Sequence, residues 1–149
     1  MSHTFVYTFR TNPYIAKLEE SGAKIFVLGK LKEDMPQMLD AIAHEQPKRI
    51  AGVALVRGVE ETRAETEAIN QFGRYGKKVN AHGKERYALV NPDPHTFRYA
   101  RTSTHSFCNW AAYKVAEYVA EHRIAAAHSF IHFRADDIEL LHGYLCCND

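Results

Sequence analysis

The stretch RIAGVALVR, Arg49 to Arg57, decides the fold. Between Ile50 and Val56 nothing charged interrupts it, whereas a strand with one face in water alternates apolar and polar residues. A run that is apolar on both faces reads as the middle strand of a parallel sheet covered by helices on both sides.

Outward from it, strand and helix signals alternate. On the N-terminal side HTFVYTF is a β-rich run that stops at the turn-like RTNPY. YIAKLEES reads as a short helix closed by Gly22, and AKIFVLG as the next strand. The following helix repeats Met38, Leu39, Ile42 and Ala43 on one face, with Pro36 in its first turn and Pro47 ending it. On the C-terminal side Thr62 to Phe72 reads as a short helical or looped stretch carrying carboxylates. Gly73 to Thr104 is a long polar region punctuated by Gly and Pro, with one strand-like piece, RYALV. A helix then follows Cys108 with Ala112, Val115, Ala116 and Val119 on one face. AAAHSFIHF is a strand, and a last helix runs near Asp136 to Leu145. This alternation predicts one domain over residues 1–149, an α/β fold with three layers (α/β/α) and a mostly parallel central sheet. In such sheets, sites collect at the carboxyl ends of the strands.

Composition narrows the function. With 46% apolar and 25% charged residues, the 149-residue chain has material for a real core and no signature of disorder. A net charge of +1, with Lys and Arg scattered along the sequence, argues against nucleic acid as the main partner. No apolar run approaches membrane-spanning length, and MSHTFVYTFRTNPY lacks a basic region followed by an apolar core, so the expectation is a cytoplasmic protein. The three cysteines, Cys108, Cys146 and Cys147, imply no disulfide framework, and reduced thiols are expected.

Chemistry concentrates at HSFCNWAAYK and SFIHF. Cys108 stands at a helix start, beside unpaired N–H groups and the positive end of the helix dipole, which favours its thiolate. That setting predicts Cys108 to be the most reactive of the three thiols. His132, at the end of the neighbouring strand, is placed to take the thiol proton and return it to a leaving amine. A carboxylate on the far ring nitrogen would fix its tautomer, and Glu65 and Glu67 are the candidates; spacing alone does not choose between them. Against this stands the commoner role of a free Cys as a small buried hydrophobe and of a strand His as a satisfied polar residue. The HGYLCC tail, with His142, Cys146 and Cys147, lacks zinc spacing, so no metal is expected. GKKVNAHGKE does not spell a phosphate-binding loop, and no cofactor is expected either.

These segments resemble the pyroglutamyl peptidases, also called pyrrolidone carboxyl peptidases, cysteine peptidases with a Glu, Cys and His triad. SFCNWAAYK is similar to the family's nucleophile segment, SFIHF to its Phe-Ile/Val-His strand end, and AETEAIN to its Glu-Arg-x-Ala-x-Asn element. YTFRTNPY and EQPKRIAGVALV are weaker matches, to the first strand with its Asn-Pro and to the strand leading to the acid. The resemblance implies Cys108 as nucleophile, His132 as base and Glu65 as the orienting acid. It also implies Phe9, Asn12 and Arg74 as substrate-binding residues, self-association, and removal of an N-terminal pyroglutamyl group from peptides. The chain departs from the pattern in being shorter than typical members. Of the aromatics in the family's first loop only Phe9 matches, with Tyr14 as a substitute for the second. Arg57 and Gly58 stand where a Gly-rich turn is usual, and Arg74 is offset by one position. These departures point to two alternatives: another small N-terminal acyl group as substrate, or a relative that keeps the fold without activity.

Overall fold

A computed structural model describes residues 4–56, 61–100 and 106–147. Arg57 and Gly58, and with them the turn after the third strand, lie outside the described residues.

The order along the chain is β1 (Thr4–Phe9), α1 (Ile15–Glu19), β2 (Lys24–Leu28), α2 (Leu31–Glu45) and β3 (Arg49–Leu55). Then come β4 (Arg63–Ala64), β5 (Glu67–Ile69), β6 (Arg86–Ala88) and β7 (Arg98–Tyr99). The chain continues with α3 (Phe107–Glu121), β8 (Ala127–Phe133), a single 3-10 turn and α4 (Ile138–Cys147). The main sheet has the order β2-β1-β3-β8-β4-β7; β5 and β6 pair in a separate two-stranded sheet. All neighbours in the main sheet are parallel except β4 with β8. The chain is thus a single-domain α/β fold with a mostly parallel central sheet, and β3 lies between β1 and β8 as its two-sided apolar pattern requires.

Strand parity builds the two cores. Phe5, Tyr7 and Phe9 of β1, Ile50 and Ala54 of β3, and Phe130 of β8 face α2 and α3. The alternate residues Val6, Val53, Ile131 and Phe133 face the other way, against Leu18 of α1 and Leu141, Tyr144 and Leu145 of α4. Gly52 is required by this packing: a Cβ there would sit 2.4 Å from the Phe130 ring and 2.5 Å from that of Tyr7.

Two local expectations need correction. The stretch from Thr62 to Phe72 is not helical; it is looped chain that also supplies the short strands β4 and β5, because pairing with β8 and β6 holds segments too short to show a period of their own. Pro36 lies in the second turn of α2, not the first, because the helix begins at Leu31. Asp34 stabilises that early start: its Oδ2 accepts from the backbone N–H of Gly29 and of Lys30, at 2.7 and 2.8 Å.

Candidate active site

The site forms at the carboxyl ends of β3 and β8, on the face that α3 covers. Parallel register sets His132 beside Ala54, so both side chains leave the sheet on the same side. Phe130, two residues earlier, shares that face, and the His132 ring packs against it at 5.0 Å between centroids. Antiparallel β4 completes the edge: Arg63 is in register with His132, and the Glu65 N–H donates to the Phe130 carbonyl at 2.8 Å.

Here Glu65 gathers two donors onto one oxygen. Its Oε2 accepts from His132 Nδ1 at 2.9 Å and from Arg63 Nε at 3.0 Å. Arg63 and Glu65 are buried and His132 half-buried. Since the carboxylate accepts, the Nδ1 proton belongs to the imidazole, and a neutral ring then presents an Nε2 lone pair. Glu67 goes elsewhere, pairing with Arg86 at 3.0 Å on the small sheet.

Arg63 is a neighbour of the acid that the sequence does not single out. It stands two residues before Glu65, and the strand period of two would have flagged it had β4 been legible. Its guanidinium also donates from Nη1 to the Glu61 carbonyl at 3.2 Å, which anchors it while it holds Glu65 in place.

Cys108 arrives on the first turn of α3. Ser106 caps the helix, its hydroxyl accepting from Asn109 N at 3.2 Å. The Asn109 side chain in turn clamps the acid-bearing segment: its Oδ1 accepts from Ile69 N, and its Nδ2 donates to the carbonyls of Ile69 and Gln71, each at 2.9 Å. The Cys-Asn pair of the sequence therefore has a physical reading. One residue brings the sulfur and the next ties its helix to the chain that carries Glu65.

The Cys108 thiol is buried and lines a cavity of about 350 Å³ together with Phe9, Thr11, Asn12, Ala54, Leu55 and Phe107. Burial pushes the thiol up to about 12, and the Glu65 charge adds to the rise; Ser106 and Arg63 pull only weakly the other way. The expectation that the helix start would favour the thiolate is therefore corrected, because removing the sulfur from water outweighs the pull of the helix terminus. No hydrogen bond joins Cys108 to His132 among the described residues. The resting pair is a neutral thiol on the same sheet face as a Glu-oriented imidazole.

Phe9 reaches this cavity and packs edge-on against Phe107 at 5.0 Å. The second aromatic of the cavity is thus Phe107, from α3. Tyr14 lies on the opposite face of the sheet, 6.0 Å from Phe133. Asn12 is buried beside the cavity with its amide used internally, Nδ2 donating to Thr8 Oγ1 at 3.0 Å and Oδ1 accepting from Tyr14 N at 2.9 Å. That bonding gives it the role of shaping the loop. Arg74 is not brought to the site; it is exposed, stacks over Tyr75 at 5.8 Å, and lines a separate cavity between α2 and α3. Behind the site, Tyr7 and His128 share a buried hydrogen bond of 2.8 Å.

At the C-terminus, Cys146 is exposed and lies 3.6 Å from the His142 ring nitrogens. Among the described residues no group of three His, Cys, Asp or Glu could hold a metal ion, and no helix is long and apolar enough to cross a membrane.

No protein-family model matches the chain, and no curated protein matches it by sequence. Solved structures match it by fold. Pyroglutamyl peptidase I of Bacillus amyloliquefaciens aligns with a TM-score of 0.70 at 17% identity, covering 88% of this chain and 81% of that one. A mutant pyrrolidone carboxyl peptidase of the hyperthermophile Pyrococcus furiosus gives 0.78 at 14% identity, with 96% and 95% covered. The pyrrolidone carboxyl peptidase of Thermococcus litoralis gives 0.74 at 13% identity, with 98% and 91% covered. The chain has the fold of the pyroglutamyl peptidases.

Proposed function

We propose that this chain is a divergent member of the pyroglutamyl peptidase family, a cysteine peptidase that releases a pyroglutamyl or similarly small N-terminal group from peptides through Cys108, His132 and Glu65. The observation that carries the reading is the part-buried Glu65 to His132 hydrogen bond of 2.9 Å, set on the sheet face to which α3 delivers Cys108. The shared fold supports it.

The chemistry follows from a thiol that burial keeps protonated. As the Cys108 sulfur bonds to the substrate carbonyl carbon, its proton passes to His132 Nε2, and Glu65 stabilises the imidazolium through Nδ1. The N–H groups of Phe107 and Cys108 open α3, ahead of its intrahelical hydrogen bonds, which suits them to hold the developing oxyanion. Collapse of that intermediate breaks the carbon–nitrogen bond while His132 protonates the leaving amine. Water, deprotonated by His132, then hydrolyses the thioester and returns the thiol. Asn109 and Arg63 act as positioning residues. The reduced thiol this mechanism needs fits a cytoplasmic setting.

A second reading, another small acyl group, is favoured by the first loop, where Arg10 and Thr11 follow Phe9 and no second loop aromatic lines the cavity. The test is release of a fluorescent amine from pyroglutamyl, alanyl, glutaminyl and acetyl amides. Turnover of the pyroglutamyl amide that Cys108→Ala abolishes supports the first reading, and turnover of another amide alone supports the second. No turnover of any amide by folded protein rejects both and leaves a fold-retaining relative without activity.

A further inference from the structure

A second cavity lies on the far side of α3 from Cys108, and none of the residues assigned to catalysis lines it. It is a groove of about 840 Å³ bounded by α2, α3 and the turn after β5. On α2 it follows Lys32, Pro36, Leu39 and Asp40, and on α3 Trp110, Lys114 and Tyr118, each set spaced as one helical stripe. Eight residues of helix give a run of roughly 12 Å, the length of about four residues of extended chain.

Its charge is one-sided. The chain as a whole carries a net charge of +1. Yet this one groove collects Lys32, Arg74, Lys77, Lys78 and Lys114 against a single acid, Asp40. Lys78 is paired with Glu85 at 2.8 Å, while the other four cations have no carboxylate within salt-bridge distance among the described residues. The floor is apolar, made by Met35, Leu39, Phe72, Val79 and Trp110, with Phe72 against Trp110 at 6.2 Å and the Lys114 ammonium 5.9 Å from the indole centroid.

We propose that this groove docks an acidic peptide segment, one in which carboxylates flank an apolar side chain. An apolar floor inside a cationic rim is the pattern of an interface with an acidic partner. A small-metabolite site would aim buried polar groups inward, but none of the polar lining side chains here is buried. A nucleic-acid strand would need successive open aromatic faces for its bases, and this groove has one, Tyr75 at 83% exposed; Trp110 is only 6% exposed and the Tyr118 ring is stacked on His122.

Trp110 is the chain's one tryptophan, so its emission reports on this groove directly. The full chain is titrated with acetylated Glu-Asp-Leu-Asp-Glu amide, with its Lys-Lys-Leu-Lys-Lys counterpart and with a single-stranded oligothymidylate. The expected result is a saturable change with the acidic peptide alone, weakened about fivefold between roughly 50 and 300 mM salt, since exposed charges are screened over that range. Lys114→Glu and, separately, Lys77→Glu should each weaken it about tenfold. Lys48→Glu, the same charge change at the entrance to β3 and outside the groove, should leave it unchanged. The inference is overturned if there is no saturable change, if the basic peptide matches the acidic one, or if the oligonucleotide binds more tightly. It is also overturned if the protein self-associates in sedimentation and Lys114→Glu abolishes this, which would assign the groove to a second copy. The readout needs no catalytic turnover, so the outcome is independent of the peptidase reading.

Discussion

Replacing Glu65 with Ala removes the acceptor shared by Arg63 and His132, and its cost can be worked from their burial. The Arg63 and Glu65 side chains are 7% and 10% exposed. Breaking a pair so enclosed by deleting one partner removes the charge that the other was buried against, and such deletions cost about 3–5 kcal/mol. Arg63 keeps its bond to the Glu61 carbonyl and half-buried His132 can turn to water, which places the expected loss at the lower end, about 3 kcal/mol. For 149 residues this lowers the melting temperature by roughly 9 °C, at about 3 °C per kcal/mol. The decisive measurement is a urea-unfolding cycle of Glu65→Ala, Arg63→Met and the double variant. If the loss in Glu65→Ala comes from the pairing with the Arg63 guanidinium, the double variant should be more stable than the sum of the singles predicts, by about 2 kcal/mol. Additivity within about 0.5 kcal/mol would refute the shared-acceptor account. Glu65→Gln keeps the shape and an acceptor oxygen but not the charge that faces Arg63; it should lose less stability than Glu65→Ala yet lower turnover on the active amide by about 10³–10⁴ through the lost charge beside His132.

Other consequences are equally direct. Gly52→Ala drives a methyl into the Phe130 and Tyr7 rings and should cost about 1–3 kcal/mol in urea unfolding, whereas Gly143→Ala, with open space around it, should not. Burial lowers His128 to about 3. The unfolded chain therefore binds a proton that the native state refuses, so stability is full above about pH 6.5 and falls as pH drops toward 3, by up to about 1.4 kcal/mol per unit. His128→Gln should flatten that slope in denaturant titrations from pH 7 to 4, and an unchanged slope would exclude His128 as its origin. Ser106→Ala deletes the α3 cap at a cost of about 1 kcal/mol. It should also raise the Cys108 thiol further, since the Ser106 hydrogen bond pulls it down, moving the onset of alkylation to higher pH. In the unmodified protein near pH 8, iodoacetamide should label exposed Cys146 before Cys108; labelling of Cys108 first would show that burial does not hold its proton.

What was legible in the sequence follows from element length. β1, β3 and β8 run six or seven residues and α2 and α3 fifteen, long enough for their periods to show. β4 and β7 have two residues each and β5 three; they exist only through their partners and carry no period, and of the short strands only β6, within RYALV, showed in the sequence. This also explains why spacing could not separate Glu65 from Glu67. Two residues apart on one strand they would share a face, but the chain leaves the main sheet after Ala64 and joins the small one at Glu67. Arg63 was hidden for the same reason. The thiol was misjudged because a helix start is visible in sequence and the depth of burial around it is not.

β8 shows how position on one strand divides chemistry between identical side chains. His128, Phe130 and His132 lie on the same face, so parity alone would give both histidines the same surroundings. Four residues of strand separate them by roughly 13 Å. At His128 the sheet is closed over by α3 and the Tyr7 hydroxyl is its hydrogen-bond partner, so no carboxylate steadies a charge and burial keeps the ring neutral. At His132 the strand reaches its carboxyl end, where antiparallel β4 brings a carboxylate to Nδ1 and the ring stays half-buried. An imidazole so placed can gain charge during a reaction with the countercharge already in position, which is what a general base requires and what His128 lacks. A buried neutral Cys108 fits the same economy. On the proposed mechanism its proton leaves when an electrophile enters the cavity, and Glu65 is already there to balance the imidazolium that results.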